Sequence, residues 1–134
     1  DDDPEEIDDM PPVIRFRLSC RTSENLLLSD EVLESLSITW ERLKTEIDKW
    51  IEQHPTHVHF GIMKSFKDSE YSRKSFNIKD IRNDLMGIIG SSKPWEVAAG
   101  DVIADLKKSD YPNSNPDSLF NYLGDKLVKN ILGF

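Results

Sequence analysis

Two segments of the chain alternate between apolar and polar residues, and each alternation predicts a strand. In residues 13–18, the apolar face carries Ile14, Phe16 and Leu18, and the polar face carries Arg15 and Arg17. In residues 57–66, one side carries Val58, Phe60 and Ile62, and the other carries His57, His59 and Met63. Side chains of a strand point alternately to its two faces, so both segments are typical of a half-buried strand.

Between these segments, apolar residues recur at alternating spacings of three and four, which predicts one long helix from Ser29 to Gln53. The series consists of Leu33, Leu36, Trp40, Leu43, Ile47 and Trp50. Ser29 is a suitable N-cap, and Pro55 cannot continue a helix. We expect the series to pack within its own domain, with Trp40 and Trp50 in the core. A dimer seam is the alternative, because coiled coils use the same spacing.

Three further helices are predicted after the second strand. They run from Asn77 to Gly90, from Ser92 to Lys108 and from Pro116 to Gly133. The apolar run Leu26–Leu28 is either a short extra strand or a buried lead-in to the long helix. The predicted class is therefore α+β, or α/β if the long helix crosses over between parallel strands. The expected domain is helix-dominant, with two or three short strands and three C-terminal helices.

The negative charge of the chain is concentrated at its N-terminus. Seven of the first nine residues are acidic, and the net charge is −8, so the remainder is close to neutral. Acidic residues repel one another, and this stretch has little apolar surface to bury. We therefore expect residues 1–12 to form a disordered acidic tail or linker, and residues 13–134 to form a single globular domain.

Cysteine usage and the lack of long apolar runs suggest a compartment. Cys20 is the single cysteine, which excludes an internal disulfide, and the chain has no Asn-x-Ser/Thr sequon. Both observations favour a cytoplasmic or nuclear protein. No apolar run approaches the roughly 20 residues of a membrane span, so no membrane contact is expected. The chain begins with Asp rather than Met, and we expect it to be part of a longer protein.

The three histidines fall within six residues, which raises the question of a metal. His57 and His59 share one side of the predicted strand, but zinc needs at least one further ligand. The remaining nitrogen and sulfur candidates are His54 and Cys20, and Cys20 is predicted on the opposite, apolar face. We therefore expect no metal and no cofactor. Phosphate-binding glycine loops, HExxH and GxSxG are also absent from the sequence, so no enzymatic activity is expected.

The polar strand faces and the basic stretch after them predict one positively charged surface. It consists of Arg15, Arg17, His57, His59, Lys64, Lys67, Arg73 and Lys74. The sequence thus favours a non-catalytic protein–protein interaction domain of a larger intracellular protein, a monomer or weak homodimer that binds an acidic or mixed-charge segment. The acidic tail is expected to compete for the same surface. The alternative is a nucleic-acid-binding module, since aromatic residues interleave with the basic ones, but the net charge opposes it.

Overall fold

The computed structural model describes the backbone of residues 6–8 and 15–17 and the whole of residues 18–134. Helices dominate this part of the chain: α1 (Asp30–Ser35), α2 (Trp40–Gln53), α3 (Phe60–Asp68), α4 (Arg82–Ile89), α5 (Trp95–Ala104), α6 (Leu119–Leu123) and α7 (Asp125–Asn130). There are also two 3₁₀ segments: Ser23–Leu28 precedes α1, and Lys108–Asp110 lies between α5 and α6. None of the described helices is both long enough and apolar enough to cross a membrane.

The predicted α+β class, with its α/β alternative, is wrong. Within the described residues, strand structure is limited to β1 (Glu6–Asp8) and β2 (Arg15–Arg17), two three-residue segments that pair antiparallel with Ile7 opposite Phe16. No crossover helix joins parallel strands there, and the domain is built from packed helices. Most of the predicted tail, residues 1–5 and 9–12, lies outside the described residues, as do residues 13 and 14 of the first predicted strand.

The second predicted strand, residues 57–66, is in fact a turn followed by α3. Met63 and Phe66 of α3 are fully buried, whereas Val58, predicted to face the core, is 84% exposed. The buried pair is spaced by three residues, which is the spacing of one helical face. Packing of α3 against α2 buries that face, and this tertiary contact prevails over the local alternation.

The long predicted helix is divided into α1 and α2. Ser37 adopts the left-handed conformation (φ 64°), and Thr39 caps α2 by accepting the backbone N–H of Arg42 at 3.1 Å. Serine, threonine and β-branched residues compete poorly for helix interiors, which explains a break in the Ser37–Thr39 segment. The apolar spacing continues across the break, so Leu33, Leu43 and Ile47 are buried as predicted although the predicted helix is interrupted. Trp40 and Trp50 pack at the edge of the core and are half-buried.

The C-terminal region contains four helices after α3, not the three predicted. Gly90 ends α4 as predicted, with φ 80° and its N–H bonded to the carbonyl of Met86 at 3.0 Å. Gly124 (φ 91°) divides the last predicted helix into α6 and α7. A Cβ at Gly124 would lie 2.5 Å from Oγ of Ser19, an exposed hydroxyl that can rotate away, so it is the positive φ that requires glycine at this position.

The segment before α1 forms the centre of the core. Of the two alternatives for Leu26–Leu28, the buried lead-in is confirmed: these residues lie in a 3₁₀ turn, and Leu27 and Leu28 are fully buried. The neighbouring Asn25 is also buried, and its side-chain amide donates to the carbonyls of Arg73 and Phe76 at 2.6 and 2.8 Å. The loop between α3 and α4 is thereby fixed to the core.

Helices α1 and α6 begin side by side and satisfy each other's backbone. The N–H of Asp30 donates to the carbonyl of Asp117 at 2.9 Å. In return, the carboxylate of Glu31 accepts the N–H of Leu119 at 2.7 Å. The first amides of a helix have no partner within it, so each helix start relies on the other.

Candidate functional site

The turn before α3 brings two histidines against one carboxylate of α4. Nδ1 of His59 lies 2.5 Å from Oδ2 of Asp84, and Nε2 of His57 lies 3.8 Å from Oδ1 of the same group. All three side chains are half-buried, and their nearest ligand-type atoms lie within 4.8 Å of one another. We call this group the His57–His59–Asp84 cluster.

Local backbone geometry creates the histidine pair. The N–H of His57 bonds to the carbonyl of His54, and the N–H of Phe60 bonds to the carbonyl of His57, which gives two consecutive turns. Within them, the N–H of His59 donates to Nδ1 of His57 at 2.9 Å. The predicted strand placed these histidines on one face because of alternation; in the structure the turn brings them together.

Asp84 reaches the histidines because α3 and α4 both pack on α2. It lies in the first turn of α4, where the helix dipole favours a negative side chain. Asp84 was not among the predicted ligands, which were limited to nitrogen and sulfur donors. The chain has 25 acidic residues, and nothing in their spacing distinguishes Asp84 from the others.

His54, the third histidine, lies beside the cluster rather than in it. Its ring stacks on the indole of Trp50, with centroids 4.8 Å apart and planes inclined by 20°. Its Nδ1 is 2.8 Å from the carbonyl oxygen of Trp50. A carbonyl only accepts hydrogen bonds, so the proton is on Nδ1 of His54. The same indole also packs edge-to-face with the His57 ring, with centroids 4.9 Å apart and planes inclined by 65°.

Lys64 and Lys67 lie on α3 and remain largely exposed. The side chain of Lys64 is 53% exposed and pairs with Asp68 at 3.8 Å. The side chain of Lys67 is 44% exposed and pairs with Asp48 of α2 at 3.3 Å. The helix that carries these two predicted binding residues directly follows the turn that carries His57 and His59. The four residues therefore form one continuous segment of the chain.

Arg73 does not join that surface. Its side chain is only 9% exposed and forms ion pairs with Asp30 at 2.7 Å and Asp117 at 2.6 Å. It also donates to the carbonyl of Leu28 at 3.2 Å. Arg73 therefore joins the loop after α3 to the starts of α1 and α6. Its neighbour Lys74 is half-buried, and its carbonyl accepts the N–H of Arg21 at 2.8 Å.

The two remaining predicted residues, Arg15 and Arg17, lie on β2. The pairing register places Asp8 opposite Arg15 and Glu6 opposite Arg17. The prediction of a sheet face shared by these arginines and the two histidines is wrong, because His57 and His59 lie in a turn. The side chains of Arg15 and Arg17 lie outside the described part of the chain.

Asp48 of α2 connects the exposed α3 surface to the interior. It pairs with Lys67 and accepts a hydrogen bond from the phenol of Tyr71. Burial raises the pKa of the Tyr71 phenol well above its ordinary value, and the bond to Asp48 and its negative charge raise that pKa further. The phenol therefore stays protonated and serves as a hydrogen-bond donor.

In comparisons with protein-family models, with curated proteins and with solved structures, nothing matches this chain.

Proposed function

We propose that the domain is a non-catalytic protein-binding module that captures an acidic or mixed-charge segment of a partner through α3. The observation that carries the proposal is the exposure of Lys64 and Lys67, which lie three residues apart on this helix. Residues at that spacing lie on the same side of a helix. The two ammonium groups therefore present positive charge to solvent together.

The ion pairs that these lysines form within the chain are weak enough for a partner to replace. Lys64 pairs with Asp68 and Lys67 with Asp48, and all four side chains are well exposed. An exposed ion pair contributes roughly 0–1 kcal/mol to stability. A partner carboxylate can therefore exchange with Asp68 or Asp48 at little cost to the fold.

The pairing of β1 with β2 supports the proposal that the acidic N-terminus competes with the partner. The register sets Glu6 and Asp8 opposite Arg17 and Arg15. An acidic segment thus already runs beside a strand with two of the predicted binding arginines. Short connections keep such a segment at an effective concentration in the millimolar range, so it competes even with weak contacts.

Arg73 is excluded from the proposed surface because its guanidinium is occupied by Asp30 and Asp117.

We place the module in the cytoplasm or nucleus on sequence grounds, since Cys20 is the single cysteine and glycosylation sequons are lacking.

A peptide with the sequence of residues 1–9, labelled with a fluorophore, is a suitable probe for a variant that lacks those residues. At low salt we expect the peptide to bind, in part through its pairing with β2, and the double substitution Lys64→Glu/Lys67→Glu to weaken that binding. The matched control is Lys107→Glu/Lys108→Glu, which makes the same charge change at two exposed lysines after α5. Equal binding by both double variants, each with an unchanged melting temperature, would contradict the proposal.

The same variants separate a protein partner from nucleic acid. A single-stranded oligonucleotide bound through phosphates would show log affinity falling with log salt by about 0.7 per phosphate contacted. We expect weak oligonucleotide binding, because the net charge of −8 opposes it at long range. Tight, steeply salt-dependent binding that Lys64→Glu/Lys67→Glu removes would instead assign the surface to nucleic acid.

A further inference from the structure

We infer that His57, His59 and Asp84 form a binding site for a divalent transition metal, with Zn²⁺ the best match. Two imidazoles and one carboxylate form a donor set that zinc takes in proteins, with a fourth position left to water. Among the described residues, this is the one group of three or more His, Cys, Asp or Glu side chains close enough to share an ion.

The spacing of the donor atoms is within reach of tetrahedral coordination. Metal–nitrogen and metal–oxygen bonds of about 2.0–2.1 Å place neighbouring ligand atoms about 3.3 Å apart in a tetrahedral site. The observed separations from Asp84 are 2.5 Å to His59 and 3.8 Å to His57, which lie on either side of that value. These two separations change by less than about 1 Å on metal binding, and the widest separation in the cluster, at most 4.8 Å, closes by up to about 1.5 Å, shifts that side-chain rotation supplies.

The carboxylate of Asp84 contacts both imidazoles of the cluster. Asp84 forms its side-chain contacts with the two imidazoles, and it is mostly buried, with 18% of its side chain exposed. A mostly buried carboxylate between two imidazoles gains more from a dication than from a single hydrogen bond. We therefore assign this cluster to metal binding rather than to an ordinary surface ion pair.

Hydrogen positions define what the metal must displace. Nδ1 of His57 accepts the backbone N–H of His59, so the neutral His57 ring carries its proton on Nε2, which faces Asp84. Binding through Nε2 requires that proton to move to Nδ1 of His57, which can then no longer accept the N–H of His59, so this backbone hydrogen bond is lost. Nδ1 of His59 likewise carries the proton that it donates to Asp84, and metal binding there requires that proton to move to Nε2 of His59. Loss of one neutral hydrogen bond lowers an affinity by about tenfold, so we expect weaker binding than at a four-ligand structural zinc site.

His54 is not a ligand in this assignment. Its ring stacks on Trp50 and bonds to the Trp50 carbonyl, and its centroid is 6.1 Å from that of His57. The assigned protein ligands are therefore three, and the fourth position is open. This inference does not depend on Lys64 or Lys67, so it stands or falls independently of the proposed function.

The test is a calorimetric titration with zinc chloride, together with Co²⁺ binding followed by visible absorption. We expect one Zn²⁺ per chain and the intense absorption of four-coordinate Co²⁺. Asp84→Asn and His59→Gln should each weaken zinc binding at least about 100-fold. Asp105→Asn, which removes the same charge at an exposed position, and His54→Gln should bind as the unmodified chain does.

Three results would overturn the inference: no zinc binding by the unmodified chain, equal binding by Asp84→Asn and Asp105→Asn, or a loss of binding in His54→Gln. The second result would indicate an adventitious surface histidine pair, and the third a different ligand set. Asn can still accept a hydrogen bond from His59, so the Asp84 variant preserves the local geometry. Should that variant fail to fold, the Co²⁺ spectrum of the unmodified chain decides, since six-coordinate absorption contradicts the assigned site.

Discussion

The guanidinium carbon of Arg73 lies 4.5 Å from the centre of the Trp40 indole ring. The same guanidinium bonds to Asp30 and Asp117, so one side chain holds the loop after α3 against α1, α2 and the start of α6. Guanidinium groups combine stacking on aromatic faces with planar pairing to carboxylates. A residue that the sequence predicted as a partner contact is thus a structural link.

Replacing Arg73 should therefore reduce stability rather than only affinity. We expect Arg73→Ala to lower the free energy of unfolding by about 3 kcal/mol, because two carboxylates lose a nearly buried partner. Arg73→Lys should recover only part of it, since an ammonium group cannot pair and stack in the same way. Urea denaturation measures the difference, with Lys64→Ala as an exposed control. A stability change no larger for Arg73→Ala than for Lys64→Ala would contradict this role.

Residues 57–66 offer a direct comparison of the helix with the strand that alternation predicts. Met63→Ala should destabilise the domain by about 2–5 kcal/mol, because it leaves a cavity at a fully buried position. Val58→Ala should change stability by less than about 0.5 kcal/mol, since Val58 is exposed. A strand would give the opposite order. Thermal or urea unfolding of the two variants decides between them.

The alternation of residues 57–66 illustrates what can be read from apolar spacing. The spacing of three and four in the long predicted helix located the core positions Leu33, Leu43 and Ile47 on either side of its break. The alternation of residues 57–66 located an ordered segment. It did not distinguish strand from helix over a few residues, because short apolar series fit both periods. The break at Ser37 depends on local backbone preferences that the spacing of apolar residues does not carry.

The candidate metal ligands show a similar division. His57 and His59 could be selected from the sequence because imidazoles are rare in this chain. Asp84 could not, because its approach depends on α3 and α4 packing against the same helix. The burial of Arg73 also escaped prediction, since its acidic partners lie 43 residues before it, at Asp30, and further along the chain, at Asp117.

Buried Tyr122 and half-buried Tyr71 should make the fold sensitive to alkali. Burial raises the pKa of Tyr122 and of Tyr71, and Asp117 and Asp48 raise them further. The folded chain holds these protons more tightly than the unfolded chain, whose tyrosines ionise near about pH 10. Above that pH the unfolded state binds fewer protons than the native state, so the free energy of unfolding falls as pH rises.

Urea unfolding between about pH 8 and pH 11 measures this loss. Tyr122→Phe should show a shallower decline with pH than the unmodified chain, whatever its stability at neutral pH. Tyr111→Phe is the control, because the Tyr111 phenol is exposed and solvent screens its bond to Asp125. Parallel declines for Tyr122→Phe and the unmodified chain would contradict a role for the buried phenol.

Gly124 should tolerate no side chain, in contrast to a glycine inside a helix. Gly124→Ala requires an unfavourable positive φ and a rotation of the exposed Ser19 hydroxyl, and because of the φ we expect it to cost more than about 1 kcal/mol. Gly100→Ala, in α5 with open space around the new methyl group, should stabilise the chain by roughly 0.5–1 kcal/mol. Melting temperatures shifted in the same direction by both substitutions would show that the α6–α7 break is not fixed by Gly124.

The shared start of α1 and α6 bears on how the chain folds as it is synthesised. Glu31 and Leu119 are 88 positions apart in the sequence, and their contact closes most of the domain into one loop. Until the ribosome has released α6, the first turn of α1 has no tertiary partner for its amide, and the core segment Ser23–Leu28 lacks one of its neighbours. Contacts so distant in sequence slow folding, and here they delay completion of the N-terminal half until the last quarter of the chain has emerged.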